Sequence, residues 1–140
     1  MDARFDIQTV IRPHSDKWHD FRGYAGKILS GRFEVGQKVQ VLPSGFETRI
    51  KDMRIYKDEL TEACTPASVV MQLEDDIDAG RGDMIARIDN LPKTSQNFDA
   101  MICWMGETPM QLNGKYSIQH TTRFGRAIIK EIVYVVDLNE

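Results

Sequence analysis

The residues best able to do chemistry lie in three short runs: "HSDKWHD" (14–20), "GRFEVGQK" (31–38) and "EDDIDAGRGD" (74–83). A phosphate-binding loop reads GxxxxGK[ST]. Its glycines let backbone N–H groups wrap the phosphates, its lysine reaches the outer phosphates, and its hydroxyl ligates magnesium. Gly31 and Gly36 keep that spacing, but Gln37 stands where the lysine belongs and Lys38 where the hydroxyl belongs. The pair Gly26-Lys27 in "GYAGKI" is no better, since Gly23 precedes it too closely and Ile28 cannot bind a metal. No helical pattern follows either run. The chain alone is therefore expected to bind neither GTP nor ATP.

His14, Asp16, His19 and Asp20 carry metal-ligating groups, yet no third histidine is near, and a polar loop gathers such residues readily. Asp76 and Asp78 suggest a calcium loop, but the glycine and the closing glutamate of that motif are out of register. Arg81, Gly82 and Asp83 spell an adhesion tripeptide in a chain without secretory features, so the run reads as a polar turn before a strand. No Ser/His/Asp or Cys/His arrangement is legible, and His120 stands alone. The expected catalytic, cofactor-binding and metal-ligating sets are all none.

The elements that could position any site follow period two. In "RFDIQTVIR" Phe5, Ile7, Thr9 and Ile11 alternate with Asp6, Gln8 and Val10, which predicts a strand with one buried face. "KVQVLP", "SVVMQL" and "DMIARI" predict further short strands, and Gly23 and Gly26 predict bulges or bends with positive φ. Gly31 and Gly36 bracket "RFEV" as a short connection, and "PSG" (43–45) is a turn. Beyond these, "NFDAMICWM" predicts a strand with Phe98, Ala100, Ile102 and Trp104 on one face. "KYSIQHTT" and the long "RAIIKEIVYVVD" predict two more. The only helix candidate is "DELTEACT" (58–65). Short strands with Gly, Pro and Asn turns imply an all-β sandwich or barrel. Polar turn formers and Pro92 in "DNLPKTSQN" mark a boundary. A small β-barrel is expected over 1–90, and a second, incomplete antiparallel β-barrel over 91–140.

Composition agrees with a folded soluble domain: 140 residues, 41% hydrophobic and 28% charged, with net charge −3. That balance argues against a basic nucleic-acid-binding module, and Arg49, Lys51, Arg54 and Lys57 read as a solvated strand face. Cys64 and Cys103, far apart and without metal spacing, read as free thiols of a reducing compartment. No apolar run is long enough to span a membrane and "MDARFDIQ" has no signal-peptide core, so a cytoplasmic location is expected.

Taken together, "FRGYAGKILSG" followed by "VGQKVQVLPSG" resembles the second, barrel domain of translation-factor-type GTPases such as elongation factor Tu. The variant is the one found in the large, GTPase subunit of bacterial sulfate adenylyltransferase (the CysN family). "DIDAGRGDMI" is similar to the segment that closes that barrel. "WMGETPM" and "GKYSIQHTTRFGRAIIKEIVYVVDLN" are similar to the opening strands of the third domain. The resemblance runs from about Phe5 to Asn139 and lacks the GTPase domain, which implies a piece of a longer protein.

The family implies a parent that couples GTP hydrolysis to formation of adenosine 5′-phosphosulfate from ATP and sulfate in sulfate assimilation. GTP and magnesium would sit in the absent GTPase domain, with none in this chain, which would itself be inactive. The implied partners are the small catalytic subunit and the GTPase domain, with no membrane and no nucleic acid. Self-association through the open strand edges of the unfinished second barrel is also expected. By analogy with such GTPases, Arg22, Gly23, Tyr24 and Gly26 are expected at an interdomain contact. The alternative is an RNA-facing barrel of a translation-type GTPase, against which the acidic charge counts.

Overall fold

A computed structural model of the chain describes residues 2–12 and 22–136. The candidate metal ligands His14, Asp16, His19 and Asp20 lie outside the described residues. The chain divides into two compact units, Met1–Thr94 with Thr121–Arg123, and Ser95–His120 with Phe124–Glu140.

In the first unit nine strands form in chain order: β1 (Arg4–Ile11), β2 (Gly23–Ser30), β3 (Arg32–Glu34), β4 (Lys38–Leu42), β5 (Phe46–Ile55), β6 (Asp58–Leu60), β7 (Glu62–Cys64), β8 (Ser68–Leu73) and β9 (Met84–Arg87). A 3-10 turn, Ile88–Asn90, follows β9. The main sheet runs β4-β9-β1-β2-β8-β5-β6, and β4 also pairs with β5. Six antiparallel strands therefore close into a barrel, with β6 hanging outside the ring on β5. Closure removes the sheet edges that would otherwise pair with another chain. Inside lie Phe5, Ile7, Tyr24, Ile28, Val39, Val41, Ile50, Met53, Met71 and Ile85, each at most 1% exposed. β3 and β7 form a separate ribbon that sets Phe33 opposite Ala63 and buries both.

β1 keeps its expected alternation only as far as Ile7. The register to β2 slips between Ile7 and Thr9, leaving Gln8 as an extra residue. One inserted residue exchanges the two faces of a strand. Beyond it Val10 packs against the core, while Thr9 and Ile11, expected inside, are exposed. A second slip, between Ile50 and Asp52 of β5, places Ile50 and Met53 both inward although they are three residues apart.

"DELTEACT" is not a helix but the two short strands β6 and β7. Leu60 pairs with Met53, and Cys64 with Arg32. Two helical turns are marginal alone in water, and distant strands satisfy this backbone better. "RFEV", expected as a connection, contains β3, with Gly31 (φ 72°) and Gly36 (φ 87°) in left-handed conformations at its ends. Gly26 has no positive φ, contrary to expectation. It faces a close approach instead, since a Cβ there would lie 1.9 Å from the Asp6 carbonyl oxygen.

In the second unit β10 (Lys115–His120) pairs with β11 (Arg123–Ile128). "NFDAMICWM" forms no strand, and the expected long strand "RAIIKEIVYVVD" is strand only to Ile128. A strand exists only where a neighbour takes its hydrogen bonds, and no described segment pairs with either stretch. Trp104 is fixed locally instead, packing edge-on against Tyr116 with ring centres 5.5 Å apart and donating its indole N–H to the Thr108 carbonyl.

Candidate functional site

The segment singled out by sequence, Arg22 to Gly26, enters the barrel at the start of β2. Tyr24 is 1% exposed and its hydroxyl donates to the Ile77 carbonyl oxygen at 2.6 Å. Arg22 Nη1 donates to the same oxygen at 2.9 Å and pairs with Asp76 at 2.8 Å. Gly23 and Gly26 are buried on either side, opposite Ile11 and Ile7 of β1. Two donors from β2 thus converge on one carbonyl of the acidic loop before β9, tying that loop to the barrel wall. Only Arg22 of the four keeps part of its side chain in solvent. No nucleophile or base is part of this arrangement, which holds shape and does no chemistry.

The phosphate-loop reading fails in structure for a reason beyond the missing lysine. Gly36 N–H donates to the Ile50 carbonyl at 2.7 Å, Gln37 N–H to that of Glu34 at 3.2 Å, and Glu34 N–H to the Gln37 side chain. The amides that would wrap a phosphate are spent inside the fold, and β4 rather than a helix follows.

The run 80–83 is a turn, as expected. Asp83 accepts from Gly80 N–H at 3.0 Å, and its own N–H returns to the Gly80 carbonyl. Among the described residues no group of three or more His, Cys, Asp or Glu side chains is placed to hold a metal ion. An open cleft between Lys38, Glu47, Arg49 and Glu74 measures about 180 Å³. Ligand pockets usually enclose ~300–1,000 Å³, so this one suits water better than a nucleotide.

The basic strip of β5 is largely internally balanced. Arg54 pairs with Asp52 at 2.7 Å and Glu59 at 3.9 Å, and Arg49 donates to the Gly36 carbonyl. Cys64 and Cys103 are free and exposed.

Two features escaped the sequence reading. Asp6 is only 4% exposed, and among the described residues its Oδ1 has no hydrogen-bond partner. Nothing in an alternating strand distinguishes it from an exposed acid. Tyr56, at the tip of the β5–β6 hairpin, is 95% exposed with φ 56°. A two-residue turn "YK" lacks the Gly or Asn that normally announces such a conformation.

The closed six-strand barrel with its outside ribbon defines a class, the barrel domains of translation factors. Elongation factor SelB of Methanococcus maripaludis aligns over 64% of this chain and 19% of its own, with TM-score 0.52 at 21% identity. A bacterial selenocysteine-specific elongation factor aligns over 63% and 15%, with TM-score 0.54 at 18% identity. Likeness at that level of identity shows the fold alone.

The particular family comes from sequence. Sulfate adenylyltransferase subunit 1 of Bacteroides fragilis is 44% identical over 138 residues, which is 99% of this chain and 28% of that protein. The bifunctional enzyme CysN/CysC of Mycobacterium tuberculosis is 44% identical over 140 residues, 99% of this chain and 23% of that protein. No family model matches. The chain belongs, as a barrel segment spanning about a quarter of their length, to the sulfate adenylyltransferase subunit 1 family.

Proposed function

We propose that this chain serves as the non-catalytic barrel region of the GTPase subunit of a sulfate adenylyltransferase. The parent would couple GTP hydrolysis to formation of adenosine 5′-phosphosulfate from ATP and sulfate. The observation that carries this reading is the 44% identity to sulfate adenylyltransferase subunit 1 across 99% of the chain. In that parent a GTPase domain outside this chain would bind GTP and magnesium. The barrel would pass a change at the γ-phosphate to its neighbours as a change in domain arrangement. Arg22, with Gly23, Tyr24 and Gly26 holding the wall behind it, is the interdomain contact in this reading. The second partner is the small catalytic subunit, whose existence the name "subunit 1" implies, and the setting is the cytoplasm. Among the described residues no helix is long and apolar enough to cross a membrane.

The test is binding of the chain to the purified small subunit, set beside a titration with transfer RNA. Saturable capture by the subunit and none by RNA is the expected result. The reverse pattern would transfer the chain to the translation-type alternative. Self-association is a further part of the proposal. In the second unit Met101, Met105, Val133 and Val135 are each at least 69% exposed, and segments 98–105 and 129–136 lack strand partners.

A further inference from the structure

The β5–β6 hairpin is the one part of the main sheet outside the closed ring. Its base is fixed: Ile55 and Leu60 pack against the core, three residue pairs join the strands, and Arg54 bridges to Glu59 across them. Its tip presents Tyr56, whose ring is 95% exposed and touches no aromatic neighbour, in a left-handed conformation (φ 56°). L-residues other than Gly and Asn adopt that conformation at a cost. A bulky side chain with no contacts to repay it inside the fold is therefore unfavourable for stability. A tyrosine held rigidly in the open loses little conformational freedom on binding, which is the property of an interface anchor.

The surrounding charges indicate what kind of partner it meets. Lys51, Arg54 and Lys57 contribute +3, and Asp52, Asp58 and Glu59 contribute −3, so the hairpin is neutral. A nucleic-acid surface would need an excess of positive charge to displace counterions. An aromatic centre inside a rim of mixed sign is the pattern of a protein–protein contact.

We propose that the β5–β6 hairpin is a docking prong whose Tyr56 ring inserts into the partner subunit of the enzyme. This rests on the reading of the chain as part of a sulfate adenylyltransferase. The ring fills an apolar pocket of the other subunit, and the charges around it pair at the rim.

The test measures binding of the intact chain to that subunit by calorimetry for the parent, Tyr56→Asn and Tyr56→Phe, with a melting curve for each. Asn accepts the left-handed conformation and removes the ring. Tyr56→Asn should melt at or above the parent temperature while its Kd rises about tenfold or more, the loss typical of an anchor residue. Tyr56→Phe keeps the ring and should bind within about threefold of the parent, well short of an anchor's loss. If the parent binds and Tyr56→Asn binds equally well, the prong is refuted while the parent function stands. Equal losses in Asn and Phe refute the role of the ring. A parent that does not bind the subunit refutes both the function proposed above and the prong. Binding of RNA that depends on Tyr56 overturns the protein partner.

Discussion

Gly26→Ala tests whether the barrel depends on one close approach between strands. The new Cβ would lie 1.9 Å from the Asp6 carbonyl oxygen and 3.0 Å from Phe5 Cζ. The first of these is backbone, so no rotamer change relieves it. Against the ~3.3 Å of the tightest ordinary C···O contacts the shortfall is about 1.4 Å, and β1 must move away from β2 by roughly that much. The movement breaks or stretches ladder bonds around the pairs Ile7–Gly26 and Asp6–Lys27, and it unseats Phe5 and Ile7 from the core. Two lost backbone hydrogen bonds at about 1 kcal/mol each, with about 1–2 kcal/mol of lost packing, come to about 3 kcal/mol or more. For a unit of this size that lowers Tm by at least about 12 °C. Thermal melting followed by far-ultraviolet circular dichroism reads the change. The control is Gly80→Ala, where a Cβ meets nothing within 4 Å and φ is not left-handed; it should stay within about 1 kcal/mol of the parent. A Gly26→Ala variant melting within a few degrees of the parent would refute the reasoning.

Tyr24→Phe and Arg22→Ala each remove one donor from the Ile77 carbonyl and leave the other, so each should cost about 1 kcal/mol. Together they leave that oxygen without either donor, and the double variant should lose more than the sum; strict additivity in urea melts would contradict the shared-acceptor geometry. Asp89 accepts hydrogen bonds from Arg87 at 2.6 and 3.0 Å, and this lowers its carboxyl pKa below the ordinary aspartate value. A lowered folded value means the pair's contribution is complete above the ordinary aspartate range. It is lost as pH falls through the lowered value. Carbon-detected NMR should find Asp89 titrating low and Arg87→Gln restoring it, whereas equal values in both would exclude the pair. Calorimetry with GTP or ATP should show no binding by this chain; a one-site isotherm at micromolar affinity would overturn the reading of "GRFEVGQK". Sedimentation should show association that grows with concentration, and a strictly monomeric species at high micromolar concentration would remove the open-edge proposal.

Much of the barrel was legible because its strands carry their own signals. Period two in "KVQVL" and "SVVMQL" placed Val39, Val41, Val69 and Met71 inside, where they are. Gly31, Gly36 and Gly45 marked turns whose positive φ only glycine adopts cheaply. The missing lysine of "GRFEVGQK" was enough to deny a phosphate loop, because that chemistry depends on one residue type at one position. Pairing was not legible. Whether Thr9 or Val10 faces the core depends on Gln8 having no counterpart in β2, and that is a property of two strands together. "DELTEACT" became β6 and β7 because β5 and β3 supply hydrogen bonds that a local reading cannot count. The same dependence runs the other way in "NFDAMICWM", where strand-forming residues without a neighbour remain irregular. Gly26 was singled out correctly for the wrong reason, since its need lies in the carbonyl of Asp6, twenty residues away in sequence. Side-chain pattern is local and survives in one dimension. Register, closure and the orphaned or strained positions at Asp6 and Tyr56 arise only when separate segments meet, so tertiary structure alone decided them.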